Sequence, residues 1–222
     1  ANMTEEEKNV ALAELYFIRA LNHFNLLNYF GGVPIKVTPT VGTGNLDVPR
    51  NSVEEVYNQI INDLIFASDY LPPATNKVRA SKYAAKALLA KVYLYKKDYP
   101  QAKTLASEVI ADGGYTLLPN YSDIFADDES AESIFEISFS QLERNRISEY
   151  NFPTALNGRR EVEPSQDLLD AYEANDERFN ASLAFEGDQA YAIKYDDLSL
   201  GADNFIVLRL GDMYLVRAEA EA

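Results

Sequence analysis

Seven residues near the start of the chain return near its end. Glu14-Leu-Tyr-Phe-Ile-Arg-Ala20 matches Asp212-Met-Tyr-Leu-Val-Arg-Ala218 position for position, and Ala90-Lys-Val-Tyr93 lies over the same frame around Ile18 and Val216. Apolar, aromatic, cationic and small positions recurring in one order mark helices of a repeat scaffold, in which each copy buries its apolar face only against its neighbours. The helices around these segments should therefore pair into hairpins.

Their boundaries can be read directly. Thr4-x-x-Glu7 and Ser52-x-x-Glu55 have the spacing at which each side chain of a capping box meets an orphan amide of the first helical turn. Beyond the first box, Leu12, Tyr16, Arg19, His23, Leu26 and Phe30 form one row and Ala13, Phe17, Ala20, Phe24 and Leu27 another. This helix reads as apolar nearly all round and is expected deep in a core, ending at Gly31-Gly32. After a turn-rich stretch, Val53, Val56, Ile60, Ile61 and Leu64 continue one stripe until Leu71-Pro72-Pro73. Ala85, Leu88, Leu89, Val92 and Tyr93 make a third stripe, and Ala102, Leu105, Ala106, Val109 and Ile110 a fourth, closed by Gly113-Gly114. Paired helices with alanines where they approach and a tyrosine at the turn are the mark of a tetratricopeptide-type hairpin.

Between the repeats the pattern changes. Ile134-Phe-Glu-Ile-Ser-Phe139 alternates as a strand does, a short helix is expected from Ser165 to Ala174, and the remainder reads as loop. The expected fold is mostly α, with tetratricopeptide-type hairpins over residues 1–114, a loop-rich insertion with minor β-structure over 115–204, and the start of a further repeat helix over 205–222. That last helix has no second member before Ala222, so the chain is expected to be a fragment of a single, longer domain.

Composition narrows function. With 35 acidic against 20 basic residues the net charge is -15, which repels phosphate backbones and anionic headgroups, so nucleic acid and a basic membrane anchor are not expected. No window approaches a membrane span, and Ala1-Asn-Met-Thr4 lacks the character of a signal peptide, so a soluble piece is expected. Without cysteine there is no disulfide, zinc ribbon or thiol nucleophile. The single histidine, His23, falls on an apolar row and reads as a satisfied core residue. Arg19, Lys91 and Arg217 hold equivalent places in the three first helices and read as structural, pairing with carboxylates of neighbouring repeats. Asp127, Asp128, Glu129 and Glu132 are hard oxygen ligands of the kind calcium takes, but lack the glycine and alternate spacing of an EF-hand loop and read as a solvated turn. No metal, cofactor or catalytic residue is expected.

Several strings together are similar to the SusD/RagB family. Arg19 to Pro34, ending Asn-Tyr-Phe-Gly-Gly-Val-Pro, resembles its long core helix and stop. Arg79-Ala-Ser-Lys-Tyr-Ala-Ala-Lys-Ala-Leu-Leu-Ala-Lys-Val-Tyr-Leu-Tyr95 resembles its most recognisable string. Glu132-Ser-Ile-Phe-Glu-Ile137, Pro164-Ser-Gln-Asp-Leu-Leu-Asp-Ala-Tyr172 with Asp176 and Arg178, Lys194-Tyr195 and Val207 through Ala220 follow in the family's order. The resemblance implies a lipid-anchored, cell-surface protein of the outer membrane, sitting over a SusC-like TonB-dependent channel. It implies binding of oligosaccharide or polysaccharide without catalysis, and membrane attachment only through a lipid anchor absent from this chain. The chain departs from the family in lacking the acylated cysteine, and in having no tryptophan to stack on sugar, which leaves Tyr and Phe.

The residues expected to meet a ligand are Tyr150, Asn151, Phe152, Asn157 and Arg159. They lie in a stretch, Gln141 to Glu163, that concentrates Arg144, Arg146, Arg159 and Arg160 in an otherwise acidic protein. Flat rings suit the C–H face of a pyranose, and planar amides and guanidinium groups suit its paired hydroxyls. The competing reading is an exposed loop packed on the scaffold or against the channel. Two other functions compete: a peptide- or protein-binding repeat module of the same family, and a hydrolase using two of the many carboxylates, which no motif picks out.

Overall fold

The computed structural model describes residues 3–44, 46–73 and 76–222. In chain order its elements are α1 (Glu5–Phe30), α2 (Val53–Tyr70), α3 (Lys82–Tyr95), α4 (Tyr99–Asp112), β1 (Ser133–Ile137), α5 (Ile147–Asn151), α6 (Gln166–Asp170), α7 (Glu177–Ser182), β2 (Leu183–Glu186), β3 (Gln189–Ala192), β4 (Phe205–Arg209) and α8 (Leu210–Glu221). Short 3-10 turns cover Tyr121–Ile124 and Thr154–Leu156. The chain forms two compact units, a helical one that runs to Gly114 and resumes over Leu210–Ala222, and a second over Tyr115–Arg209.

In the helical unit both capping boxes form. Thr4 Oγ1 accepts from the Glu7 amide while Glu7 returns a carboxylate oxygen to the Thr4 amide, and Ser52 and Glu55 do the same for α2. Gly31, at φ +71°, ends α1, and Gly32 has no room for a side chain because the Asn51 carbonyl lies against it. Successive helices pack on one another, α1 on α2, α2 on α3, α3 on α4 and α4 on α8. Ala84, Ala85, Ala87 and Ala90 of α3 and Ala102 and Ala106 of α4 are fully buried, so small residues fill the space between these axes. Phe17, Ile60, Leu64, Leu88, Val109 and Met213 fill the rest, each burial contributing roughly 1.5–3 kcal/mol.

Three expectations need correction here. α1 is not buried all round: Ala13, Phe17, Ala20, Phe24 and Leu27 are inside, whereas Leu15, Ile18, Leu26, Tyr29 and Phe30 are exposed. Residues 205–209 are not helix. Their aromatic and β-branched run pairs with β1, and the helix begins only at Leu210. Within the loop-rich insertion, one segment read as loop is strand: β2 and β3 form a hairpin in which Glu186 pairs with Gln189 across the two turn residues, Gly187 at φ +60° and Asp188.

The equivalent cations of the three first helices part company. Arg19 meets Asp63 of α2 through Nε at 2.8 Å and Nη2 at 2.6 Å, and Gln59 donates to the same carboxylate, which is buried. Lys91 reaches Asp212 of α8 at 3.7 Å, while Arg217 lies 5.2 Å from the ring centre of Tyr214 on its own helix. His23 is buried as expected, but its Nδ1 has no hydrogen-bond partner. Burial holds its pKa below the ordinary 6.5.

Two stability predictions follow from this geometry. Asp63→Asn leaves the Arg19 charge half-buried without its counter-ion and should lower unfolding stability by about 2–3 kcal/mol, measured by urea denaturation; an unchanged midpoint would remove the pair from the account of α1–α2 packing. Unfolded His23 takes up a proton near pH 6.5 and the folded form only at lower pH, so stability is full above 6.5 and declines as pH falls. Denaturation midpoints over this range should fall less steeply for His23→Gln than for the parent; equal slopes would contradict the assignment.

Candidate functional site

The second unit has two small sheets and no long helix, so its loops are fixed mainly by buried polar groups. Glu136 of β1 is almost wholly buried. Its two carboxylate oxygens accept the Glu129 amide at 3.1 and 3.0 Å, and one of them also accepts the Asn204 side-chain amide at 3.0 Å. Asn204 in turn donates its backbone amide to Asp128 at 2.8 Å and accepts the Phe139 amide at 3.2 Å. Glu132, also buried, accepts from Arg209 at 2.8 Å and from the Leu118 amide. The stretch expected as a solvated acidic turn is thus partly an internal framework. Among the described residues no group of three or more His, Asp or Glu is placed to hold a metal ion.

Beside this framework lies a cavity of about 220 Å³ lined in part by Asp127, Asp128, Tyr195 and Asp203. Burial pushes the Asp203 carboxyl and the Tyr195 phenol up. Asp197 is held below the usual carboxylate range, chiefly by the Leu200 amide, with the Ala202 amide and the Ser199 hydroxyl adding to it. These bonds close the 197–203 turn, and the Asp197 amide donates to Asp203.

The expected ligand residues occupy α5 and the turn after it. Tyr150 carries the Arg159 guanidinium 5.1 Å above its ring, and Arg159 also pairs with Glu149 and Glu161. Asn151 donates to the Ile147 carbonyl. Phe152 packs edge-on against Tyr191 of β3 at 5.1 Å, and Gly158 leaves space for no side chain beside Phe152. Asn157 adopts φ +69° and exposes its side chain. Asn157 and Arg159 are exposed on the turn and Tyr150, half-buried on α5, meets Arg159, while Asn151 and Phe152 have local structural partners. The other three arginines are engaged as well: Arg144 with the carbonyls of Leu198, Ser199 and Leu200, Arg146 with Glu149, and Arg160 with Glu163 and Glu186.

A second surface surrounds α7, where three adjoining cavities of about 270, 330 and 780 Å³ share lining residues. The first is lined by Tyr121, Leu168, Ala171, Tyr172, Arg178 and Lys194. Tyr121 continues into the second, with Asn120, Ser122 and Asn180, and Tyr172 into the third, with Asn175 and Phe179. Ring packing fixes both tyrosines: Tyr121 meets Phe125 edge-on at 5.5 Å, and Tyr172 meets Phe179 at 5.3 Å. Asp176 caps α7 and grips Arg178 through Nε and Nη2, which holds the Asp176 carboxyl below its usual range. Lys194 places Nζ 5.3 Å from the ring centres of both Tyr121 and Phe125.

Comparison with known proteins places this architecture. Residues 1–94 match a family described as SusD-like, "Starch-binding associating with outer membrane". A SusD-like protein of Bacteroides ovatus is 30% identical over 99% of this chain and 50% of its own length. A solved "Laminarin binding SusD-like protein" superposes with a TM-score of 0.85 at 27% identity, covering all of this chain and 61% of that one. Another, solved "with xylogluco-oligosaccharide", gives 0.85 at 28% identity over 98% of this chain and 55% of that one. The chain belongs to the SusD/RagB family.

This SusD/RagB-family chain spans about half the length of the curated relatives it matches. No helix among its described residues is long and apolar enough to cross a membrane. The groove around α7 was not singled out by sequence reasoning, although Tyr172, Arg178 and Lys194 all fall in strings that carry the resemblance. Tyr121 gave no signal, because it follows Leu117-Leu-Pro-Asn120 without periodicity.

If the buried carboxylate organises this unit, Glu136→Gln presents an amide N–H₂ to donors and should cost about 1–3 kcal/mol. Hydrogen exchange should rise in residues 128–139 and 203–206; unaltered exchange there would show that the loops are held by other means.

Proposed function

We propose that this chain is part of a non-enzymatic nutrient-binding protein that captures oligosaccharide or polysaccharide at the outer-membrane surface. The observation that carries the reading is the groove around α7: two fixed tyrosine rings with asparagine and serine side chains on one continuous surface, the combination that pyranose faces and hydroxyl pairs require. Relatives of the same fold that bind laminarin and xylogluco-oligosaccharide support it. Tyr150, Asn157 and Arg159 offer a second, outer contact on which a longer chain could rest, with Asn151 and Phe152 holding that turn in shape.

Of the three carboxylates that line the groove, Glu173, Asp176 and Glu177, Asp176 is the one tied down, and its state fits binding without turnover. Hydrolysis needs a carboxyl that keeps its proton near neutrality, and Asp176, capped and gripped by Arg178, is held in the opposite direction. In this reading the intact protein is lipid-anchored and passes its cargo to a SusC-like TonB-dependent channel.

Calorimetric titration with laminari- and xylogluco-oligosaccharides should show saturable binding without product. Tyr121→Ala and Tyr172→Ala should each weaken it by about tenfold, as expected for a lost stacking contact. A Tyr150→Ala, Arg159→Ala double variant should act mainly on longer oligomers. Release of shorter sugars, or saturable binding of peptides alone, would overturn the proposal.

A further inference from the structure

The first groove cavity differs in charge from the rest of the chain. Acidic residues outnumber basic ones by 35 to 20, yet this lining holds two cations and no carboxylate. The two cations are not equivalent. Arg178 spends Nε and Nη2 on Asp176, so its charge is compensated within the protein. Lys194 has no carboxylate within ion-pairing distance among the described residues; its ammonium lies beside the Tyr121–Phe125 pair, 5.3 Å from each ring centre.

Ring faces partly stabilise such an ammonium, but a cation drawn from full hydration without a counter-ion keeps a cost that an incoming anion removes. The ammonium sits beside the same Tyr121 ring that is offered to sugar. A ligand seated on Tyr121 and Tyr172 therefore brings its substituents within reach of an uncompensated positive charge. We infer that the saccharide taken by this cavity is anionic, bearing a uronate carboxylate or a sulfate ester that pairs with Lys194. This rests on the saccharide-binding reading above and specifies the class of sugar; a purely structural Lys194, resting against the Tyr121–Phe125 pair, is the alternative.

Matched probes separate these possibilities. The protein is titrated at low salt with tetragalacturonate and its methyl ester, with a sulfated galactan tetrasaccharide and its desulfated form, and with laminaritetraose as an uncharged reference. At least one charged probe should bind about tenfold more tightly than its neutral partner, the gain of a charge-assisted contact. Which pair shows the preference tells carboxylate from sulfate. Lys194→Gln should bring the charged-to-neutral ratio to within about twofold, and Lys194→Arg should retain a preference, at unchanged melting temperature. Equal affinity within both pairs, a preference that survives Lys194→Gln, or binding of laminaritetraose alone overturns the inference and leaves the saccharide reading standing. Silence with every sugar overturns both.

Discussion

Two buried glutamates, Glu132 and Glu136, carry the constraint on which the second unit of this chain depends. A unit with two short sheets cannot fix its loops through ladders alone, and a buried carboxylate must be given donors. Glu136 takes the Glu129 amide and the Asn204 side chain, and Glu132 takes Arg209 and the Leu118 amide. The consequence reaches the groove. Arg209, held by Glu132, lies 5.7 Å from the ring centre of Tyr121, so a charge buried at the sheet helps set the ring proposed to meet ligand.

The helical unit solves a different problem. Its helices pack closely because alanines fill the contacts, and a buried ion pair, Arg19 with Asp63, ties α1 to α2. The same position carries Lys91 and Arg217 in the other first helices, with a longer pairing in one and a tyrosine ring in the other. The repeat therefore preserves a cation at one register while its partner varies. Such a scaffold takes its stability from helix–helix burial, which leaves the loops of the second unit open to specialise for a ligand.

Much of this was legible in sequence where the signal is local. Thr4/Glu7, Ser52/Glu55 and the glycine stops mark helix ends because capping chemistry involves residues three or four apart, and the apolar rows mark buried faces. The long first helix shows the limit: its rows predict burial all round, yet Leu15, Ile18 and Tyr29 are exposed, since a row shows that a face can be buried but not what packs on it. Phe205 to Arg209 read as helix because Leu210 onward is one, and only pairing with β1, roughly seventy residues away in sequence, makes it strand. The β2–β3 hairpin has a local signal as well, Gly187-Asp188 between two short runs with alternating apolar residues. The candidate site was least legible. Tyr150 and Arg159 do meet, but Tyr121, Tyr172 and Lys194 come together only through the fold of loops with no period of their own.

The central claim is that sugar lies on the tyrosines of the α7 groove, and it is tested most directly by nuclear Overhauser transfer from the pyranose C–H protons of xylogluco-oligosaccharide or laminari-oligosaccharide to ring-labelled tyrosines. The account predicts saturable transfer to Tyr121 and Tyr172, with the tyrosines of the helical unit silent. Transfer confined to other tyrosines, or none while sugar binds, would contradict it.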